Sequence, residues 1–296
     1  MRGGTSSVPP ESAGARLDLV NASSFAAPRR GRKGLAHQLR ILRVIAAIEF
    51  KTKYTDSIMG YLWSFAKPFA YFGVLWLIFD KFLKITGSIP HFEIYLIVGV
   101  VLFTFFLDAV GAALTSIVTR GSILRRIAFS PLVLPLSVTV TACITFAVNL
   151  LAVAVFVAAS KIAPQLDWLL IVPLLAEFYV FLLGVGLIMA TLYVRFRDVA
   201  QIWELVAQLF IFATPIMYPV SALPVWAARI AYLNPFVQVM QDIRALMVGI
   251  GNEPRATVAA VYGSTGRLLP IGVALATFAL GLLLFRRDAP RFAERV

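Results

Sequence analysis

Ile127–Ser160 runs for 34 residues without a charged side chain. Inside a bilayer the backbone has no water to bond, so such a run is expected to satisfy its own N–H and C=O groups as a helix. It is longer than the roughly 20 residues needed to cross a hydrocarbon core. Other apolar runs repeat the pattern along the chain. Of 296 residues, 60% are hydrophobic and 14% charged, where a soluble domain carries about 45–50% and about 25%. The composition therefore argues against a soluble fold and leaves room for about six spans with short connections.

The expected fold is all-α and membrane-embedded. Residues 1–34 are rich in Gly, Ser, Pro and Arg and read as a mostly disordered cytoplasmic tail. Residues 35–287 form the membrane domain, and 288–296 a short cytoplasmic tail. Leu35–Phe50 has helical spacing: Leu35, Leu39, Leu42, Ile45 and Ala46 share a stripe, with Arg40, Arg43 and Glu49 on polar sides. An amphipathic helix lying on the membrane surface fits this spacing, and so does a solvated helix packed on a partner. Span one is the least clean. The charge-free part, Pro68–Phe79, would give only about 18 Å of helix, so Tyr61–Phe82 is needed, with Lys67 and Lys81 snorkelling to the two interfaces. The remaining spans are expected at Ile94–Val118, Leu132–Ser160, Trp168–Val194, Val199–Pro219 and Leu268–Phe285.

Between the last two spans, Val220–Leu246 is still apolar. It is broken by Pro224 and Pro235, just after Pro219, and charged by Arg229, Asp242 and Arg244. Short helices that dip into the membrane and return fit better than a free span, because broken backbone at that depth must lie against protein or a water-filled cavity. No internal repeat is visible.

The net charge of +12 would suggest nucleic acid in a soluble protein; here positive-inside anchoring explains it. With the N-terminus inside, Lys and Arg divide 20 to 7 in favour of the cytoplasmic side, and 14 to 7 without residues 1–34. Both termini are therefore expected in the cytoplasm, with no nucleic-acid partner. The first 30 residues lack an apolar core, so no cleavable signal peptide is expected. Cys143 is the one cysteine; it can form no internal disulfide, and no Cys/His cluster offers a metal site.

Catalytic signals are missing. There is no phosphate-cradling G-x-x-x-x-G-K-[ST], no H-E-x-x-H, no G-x-S-x-G and no D-x-D, so neither ATP hydrolysis nor metal-dependent glycosyl transfer by this chain is expected. His37 and His91 read as solvated side chains near the interfaces. Three acids interrupt the spans: Asp108, Glu177 and Glu204. They are costly in lipid and should face protein or water, either as an ion relay or as a structural polar wall. The chain offers no basic residues expected at matching depth. Two short basic segments, Arg120–Pro131 (RGSILRRIAFSP) and Tyr193–Glu204 (YVRFRDVAQIWE), could dock on a cytoplasmic partner or simply anchor the spans. Aromatic side chains crowd span one (Tyr54, Tyr61, Trp63, Phe65) and span two (Phe103, Phe105, Phe106). Such rings stack on sugars, but they also form interface belts and helix cores.

Four segments in order carry a family resemblance. Glu49–Phe69 (EFKTKYTDSIMGYLWSFAKPF) resembles the opening of the permeases of type 2 ABC exporters for polysaccharides, through Lys51, Lys53, Tyr54, Gly60, Trp63 and Pro68. Arg125–Ser137 resembles that family's first cytoplasmic coupling segment. Tyr193–Pro224 resembles its second coupling segment and fifth span, and Leu233–Gly249 its external re-entrant helices. The subfamily resembled is that of O-antigen, teichoic acid and capsule exporters. The long N-terminal tail departs from the pattern.

The resemblance implies two copies of this chain around a channel in the inner membrane, with two copies of a separate ATPase on the cytoplasmic face. That partner would bind ATP and Mg, and this chain no cofactor. The cargo would be a polyprenyl-diphosphate-linked glycan, with a cell-wall galactan one plausible form. Arg120, Arg125, Arg126, Arg195, Arg197 and Asp198 would couple to the ATPase, Arg197 and Asp198 by an ion pair or a cap. Tyr54, Tyr61, Trp63, Phe65, Phe103 and Phe106 would line the channel mouth. Arg40, Arg43, Lys51 and Lys53 would meet the diphosphate or the head groups of membrane lipids. Asp108, Glu177 and Glu204 would brace a hydrated conduit. The rival transporter class is an ATP-independent flippase for lipid-linked oligosaccharides.

Overall fold

The computed structural model describes residues 34–55, 60–84, 89–126, 129–250 and 254–295, and every regular element among them is a helix. The segment expected to be a disordered tail, up to residue 33, lies outside the described residues. The helices are α1 (Leu35–Thr55), α2 (Gly60–Trp76), α3 (Phe92–Thr119), α4 (Gly121–Arg126), α5 (Val133–Ala159), α6 (Ile171–Arg195) and α7 (Val199–Ala213). They continue with α8 (Val225–Tyr232), α9 (Pro235–Val248), α10 (Val258–Tyr262) and α11 (Leu268–Arg295). Among the described residues, four stretches are long and apolar enough to cross a membrane: Phe92–Thr119, Val133–Ala159, Leu166–Arg195 and Ser264–Phe292.

α3 is the central post. Its most apolar stretch is 78% buried, against 22% for that of α11, and α2, α5, α6, α7 and α9 all lie against it. α2 continues without a break into a π-helical turn, Leu77–Phe82, closed where Leu83 N–H donates to Ile78 O at 2.9 Å. The sequence placed its first span at Tyr61–Phe82 on the assumption that both lysines snorkel, and the two behave differently. Lys81 pairs with Asp80 at 3.0 Å and lies 4.8 Å from the Trp76 ring. Lys67 reaches sideways to Asp108 of α3.

α7 has 15 residues, about 22 Å of helix, and stops short of the expected Val199–Pro219. The cause is Pro215. It forces Thr214 into extended backbone (ψ 144°) and cannot continue the hydrogen-bond ladder. The last helix departs in the opposite sense. It does not end at Phe285 but continues through Pro290 to Arg295. Phe285 and Phe292 meet edge to face at 5.0 Å, in a cluster with Ile117, Leu134, Leu187 and Ala190. A second apolar core therefore holds residues 288–295 in helix.

The closest helix pair is α6 with α11. A Cβ on Gly184 would lie 2.6 Å from the backbone N of Phe278, and one on Gly281 would lie 2.5 Å from Gly184 O. Only glycine lets the two backbones approach this far. Gly184→Val is expected to force the helices apart at a cost of about 1–3 kcal/mol, read as a lower melting temperature in detergent. Gly272→Ala, with nothing within 4 Å of its would-be Cβ, is expected to leave the melting temperature unchanged.

Candidate functional site

The broken stretch Val220–Leu246 folds as two short helices, α8 and α9, at one end of the bundle. Pro219 and Pro224 are extended, with ψ of 147° and 154°, and separate α7 from α8. The Asn234 side chain accepts from Phe236 N–H at 3.0 Å, Pro235 opens α9, and Gly249 in left-handed backbone (φ 76°) closes it. Among the described residues, this cap end contains most of the side-chain-to-backbone bonds between distant elements. The opposite end carries α4 and the α6–α7 turn.

Arg244 organises the cap end. It is 0% exposed. Its Nε donates to Tyr95 O, Nη1 to Pro215 O and Nη2 to Ile216 O, each at 2.8 Å. The guanidinium also lies 3.6 Å from the centroid of the Tyr95 ring. Pro215 and Ile216 follow the end of α7, where carbonyls have lost their helical partners. Taking a cation out of water costs several kcal/mol. Three charge-assisted bonds and a cation–π contact offset that cost and satisfy the broken backbone. Burial lowers the guanidinium pKa to about 10, which leaves it charged at neutral pH. Gly99 is required beside it, since any side chain there would run into the guanidinium.

A second arginine does the same for the next loop. Arg255 donates to Leu223 O at 2.5 Å and Ser221 O at 2.9 Å, while Tyr232 Oη donates to Arg255 O at 2.7 Å. Tyr95 Oη donates to Tyr218 O at 3.1 Å.

Phe103 and Phe106 are each 4% exposed, so neither faces a channel from this chain. Phe106 instead lies among Phe178, Phe181, Trp203, Phe210 and Phe236, at centroid distances of 5.4–6.3 Å. Phe103 stacks on Phe210 at 6.3 Å. Both belong to the core that joins α3, α6, α7 and α9. Aromatic pairs of this kind add about 0.5–1.5 kcal/mol each beyond burial.

The acids separate by environment. Asp108 accepts from Lys67 Nζ at 3.2 Å, so a basic partner at matching depth does exist, contrary to expectation. The pair is part-exposed on the side where α2 and α7 flank α3. Gly111, one turn beyond Asp108, lies against Trp203 of α7. Glu204 is exposed on α7. Glu177 lines a cavity between α6, α9 and α11.

At the opposite end, Arg120 forms an ion pair with Glu49 of α1, both side chains largely buried. α1 lies along α5, where Thr141 Oγ1 donates to Ala46 O at 3.4 Å. Arg195 and Arg197 are exposed; they lie over the rings of Phe196 and Tyr193, at 5.2 and 5.3 Å. Asp198 precedes α7 but makes no side-chain cap bond. The α6–α7 turn is thus held by Arg–ring contacts and backbone bonds, not by the expected ion pair or cap. The side chains of Lys53, Tyr54, Tyr61, Trp63, Phe65, Arg125 and Arg126 lie outside the described residues. Arg40, Arg43 and Lys51 are exposed along α1.

Residues 40–248 match the family model described as "ABC-2 type transporter". The chain belongs to the ABC-2 type transporter family. It is 28% identical over 261 residues to the "O-antigen export system permease protein RfbA" of Klebsiella pneumoniae, covering 88% of this chain and 96% of that one. To the protein of the same name from Myxococcus xanthus it is 31% identical over 200 residues, 67% of this chain and 76% of that one. The resemblance to polysaccharide-exporter permeases read from the sequence therefore holds, and the chain is a multi-pass transport component without an ATPase motif of its own.

In this ABC-2 permease, sequence reasoning missed the fixing residues of the cap: Tyr95, Arg244 and Arg255. The signal was present in Arg244, a charge inside a proline-broken apolar stretch, which needs backbone partners if buried. Arg244→Met is expected to leave three backbone carbonyls without these bonds and to cost about 3 kcal/mol or more. The check is a thermal melt of the purified protein, in which Arg244→Lys is expected to recover only part of the loss, since an ammonium cannot reproduce the planar fork.

Proposed function

We propose that this chain is the membrane subunit of an ATP-driven exporter that moves a polyprenyl-diphosphate-linked polysaccharide out of the cytoplasm. Two copies pair around the channel, and a separate ATPase, binding ATP and Mg, docks on the end that carries α4 and the α6–α7 turn. The chain crosses the inner membrane six times: through α2 with its π turn, α3, α5, α6, α7 and α11. Both termini are cytoplasmic, and α1 lies at the inner interface. The cargo is O-antigen-like or a cell-wall galactan.

The observation that carries this reading is the face left open by α2, α3 and α7. The Lys67–Asp108 pair is part-exposed there. An ion pair at that depth is costly against lipid and reasonable beside water. Next to it α7 turns Leu205, Leu209 and Phe212 outward, a face suited to a second copy. The exposed Arg40, Arg43 and Lys51 of α1 supply cations where a diphosphate head would meet the inner surface.

The test is purification from native membranes with a tag on this chain. A separate ATPase is expected in equal ratio, with activity that depends on the permease. Charge reversal of Arg125 and Arg126 together is expected to leave the permease in the membrane while greatly reducing the ATPase recovered. A permease that purifies alone in several mild detergents would overturn this reading in favour of the ATP-independent flippase.

The open ion pair gives a second measurement. Lys67→Asp and Asp108→Lys are each expected to reduce surface glycan in a strain that depends on this chain. The double exchange restores the pair and is expected to recover most of the export, read by immunoblot at matched protein level.

A further inference from the structure

A cavity of about 310 Å³ lies between α6, α9 and α11. The two spans on either side of it turn apolar residues outward: Val172 and Leu275 are exposed, and so is Leu268. Leu170 and Leu275, at least half-exposed, belong to the cavity wall itself. The mouth therefore opens toward hydrocarbon once α6 and α11 sit in a bilayer, and an occupant enters from the membrane.

One end of the cavity is polar. Glu177 and Gln238 line it with Arg267, and Asp242 stands behind them. Gln238 Nε2 donates to Asp242 Oδ2 at 2.8 Å, and Arg267 Nε lies 3.5 Å from the same oxygen. Gln238 and Asp242 are each 1% exposed. Yet Glu177 Oε1, Gln238 Oε1 and Asp242 Oδ1 are buried with no hydrogen-bond partner among the described residues. A buried acceptor without a donor costs about 1–3 kcal/mol. All three orphan atoms are acceptors, so what is lacking is a group with several N–H or O–H donors. Water can serve the polar end, but most of the wall is leucine, isoleucine and proline, which give water no partners and suit hydrocarbon. Arg267 is half-exposed, with the fork of its guanidinium available for a phosphate.

We propose that this cavity binds a phospholipid whose head carries a primary ammonium. The ammonium donates to Glu177 and Gln238, with the Asp242 carboxylate behind them adding negative charge; the phosphate meets Arg267, and an acyl chain lies along Leu170, Leu174 and Leu275. Glu177 sits within two turns of the first residue of α6, a depth compatible with a head group drawn slightly below the interface. The site needs only that the chain lies in a membrane. It is separate from the α2–α3–α7 face and independent of the cargo proposed above.

The full-length permease, purified in mild detergent and stripped of loosely held lipid, is offered phosphatidylethanolamine, its mono-, di- and trimethylated analogues and phosphatidylglycerol, all with identical acyl chains. Bound lipid is counted by native mass spectrometry, alongside the melting temperature. Retention is expected to be highest for the primary amine and to fall with each methyl group, as donors are lost. Glu177→Gln and Arg267→Gln are each expected to reduce retention of the primary amine about tenfold, the equivalent of one charge-assisted bond. Equal retention of the primary and trimethylated amines would overturn the proposal, as would preference for phosphatidylglycerol or no retention above bulk detergent exchange. The head-group series on the unaltered protein decides the matter even if a variant fails to fold.

Discussion

A membrane helix that is cut by prolines leaves carbonyl oxygens with neither a helical N–H nor water to bond. The cap end of this bundle depends on how that debt of hydrogen bonds is met. Pro215 ends α7, and the carbonyls of Pro215 and Ile216 point at Arg244 on α9. The same guanidinium reaches Tyr95 O near the start of α3 and lies over the Tyr95 ring. One side chain thus joins three elements far apart in sequence. Lysine could not do this with comparable geometry, because its point charge lacks the planar fork. Gly99 leaves the volume the guanidinium occupies, so the backbone of α3 and the charge on α9 are mutually dependent. Arg255 repeats the solution for Ser221 and Leu223.

Below that layer the joint between helices changes from hydrogen bonds to rings. Phe106 of α3, Phe178 of α6, Phe210 of α7 and Phe236 of α9 form one contiguous cluster. Lipid tails are as apolar as these rings, so exclusion from solvent contributes little here. Shape and ring geometry carry the association. At the far end of the bundle the Phe285–Phe292 pair plays the equivalent part for α11. Close backbone approach at Gly184 and Gly281 fixes the same helix midway.

What the sequence made legible follows from which signals are local. Long apolar runs gave the positions of α3, α5, α6 and α11 to within a few residues, except that Phe292 carries α11 well past Phe285. Proline spacing gave the short helices after α7 but not where α7 ends: the expected span ran to Pro219, and Pro215 stops the helix at Ala213. Pairing across the fold was not legible. Lys67 and Asp108 are 41 residues apart, and nothing in their surroundings marks them as partners. A lysine near a helix end reads as snorkelling until its neighbour is known. Phe103 and Phe106 failed for a related reason. Composition identifies an aromatic helix, but only the arrangement of α6, α7 and α9 around it decides whether those rings meet sugar or one another. Asp198 stood where a cap is common, and the backbone of the turn closed without its side chain.

The charges of this permease divide into those settled within the chain and those left open, and the division follows geometry. Arg244, Arg255 and the Glu49–Arg120 pair are satisfied by this chain's own atoms and hold helices together. Lys67 with Asp108, and Glu177 with its neighbours Gln238 and Asp242, are not enclosed in the same way. The first pair is part-exposed on the α2–α3–α7 side. The second group keeps three acceptor oxygens without donors among the described residues, beside an apolar cavity flanked by α6 and α11. Buried acceptors without donors raise the free energy of the isolated chain, and a part-exposed ion pair is costly only against lipid, so each group favours surroundings of complementary chemistry. A hydrated conduit meets the requirement of the ion pair. A donor-rich lipid head with a hydrocarbon tail meets that of the cavity. The two faces make different demands, which is the physical reason to assign them different occupants.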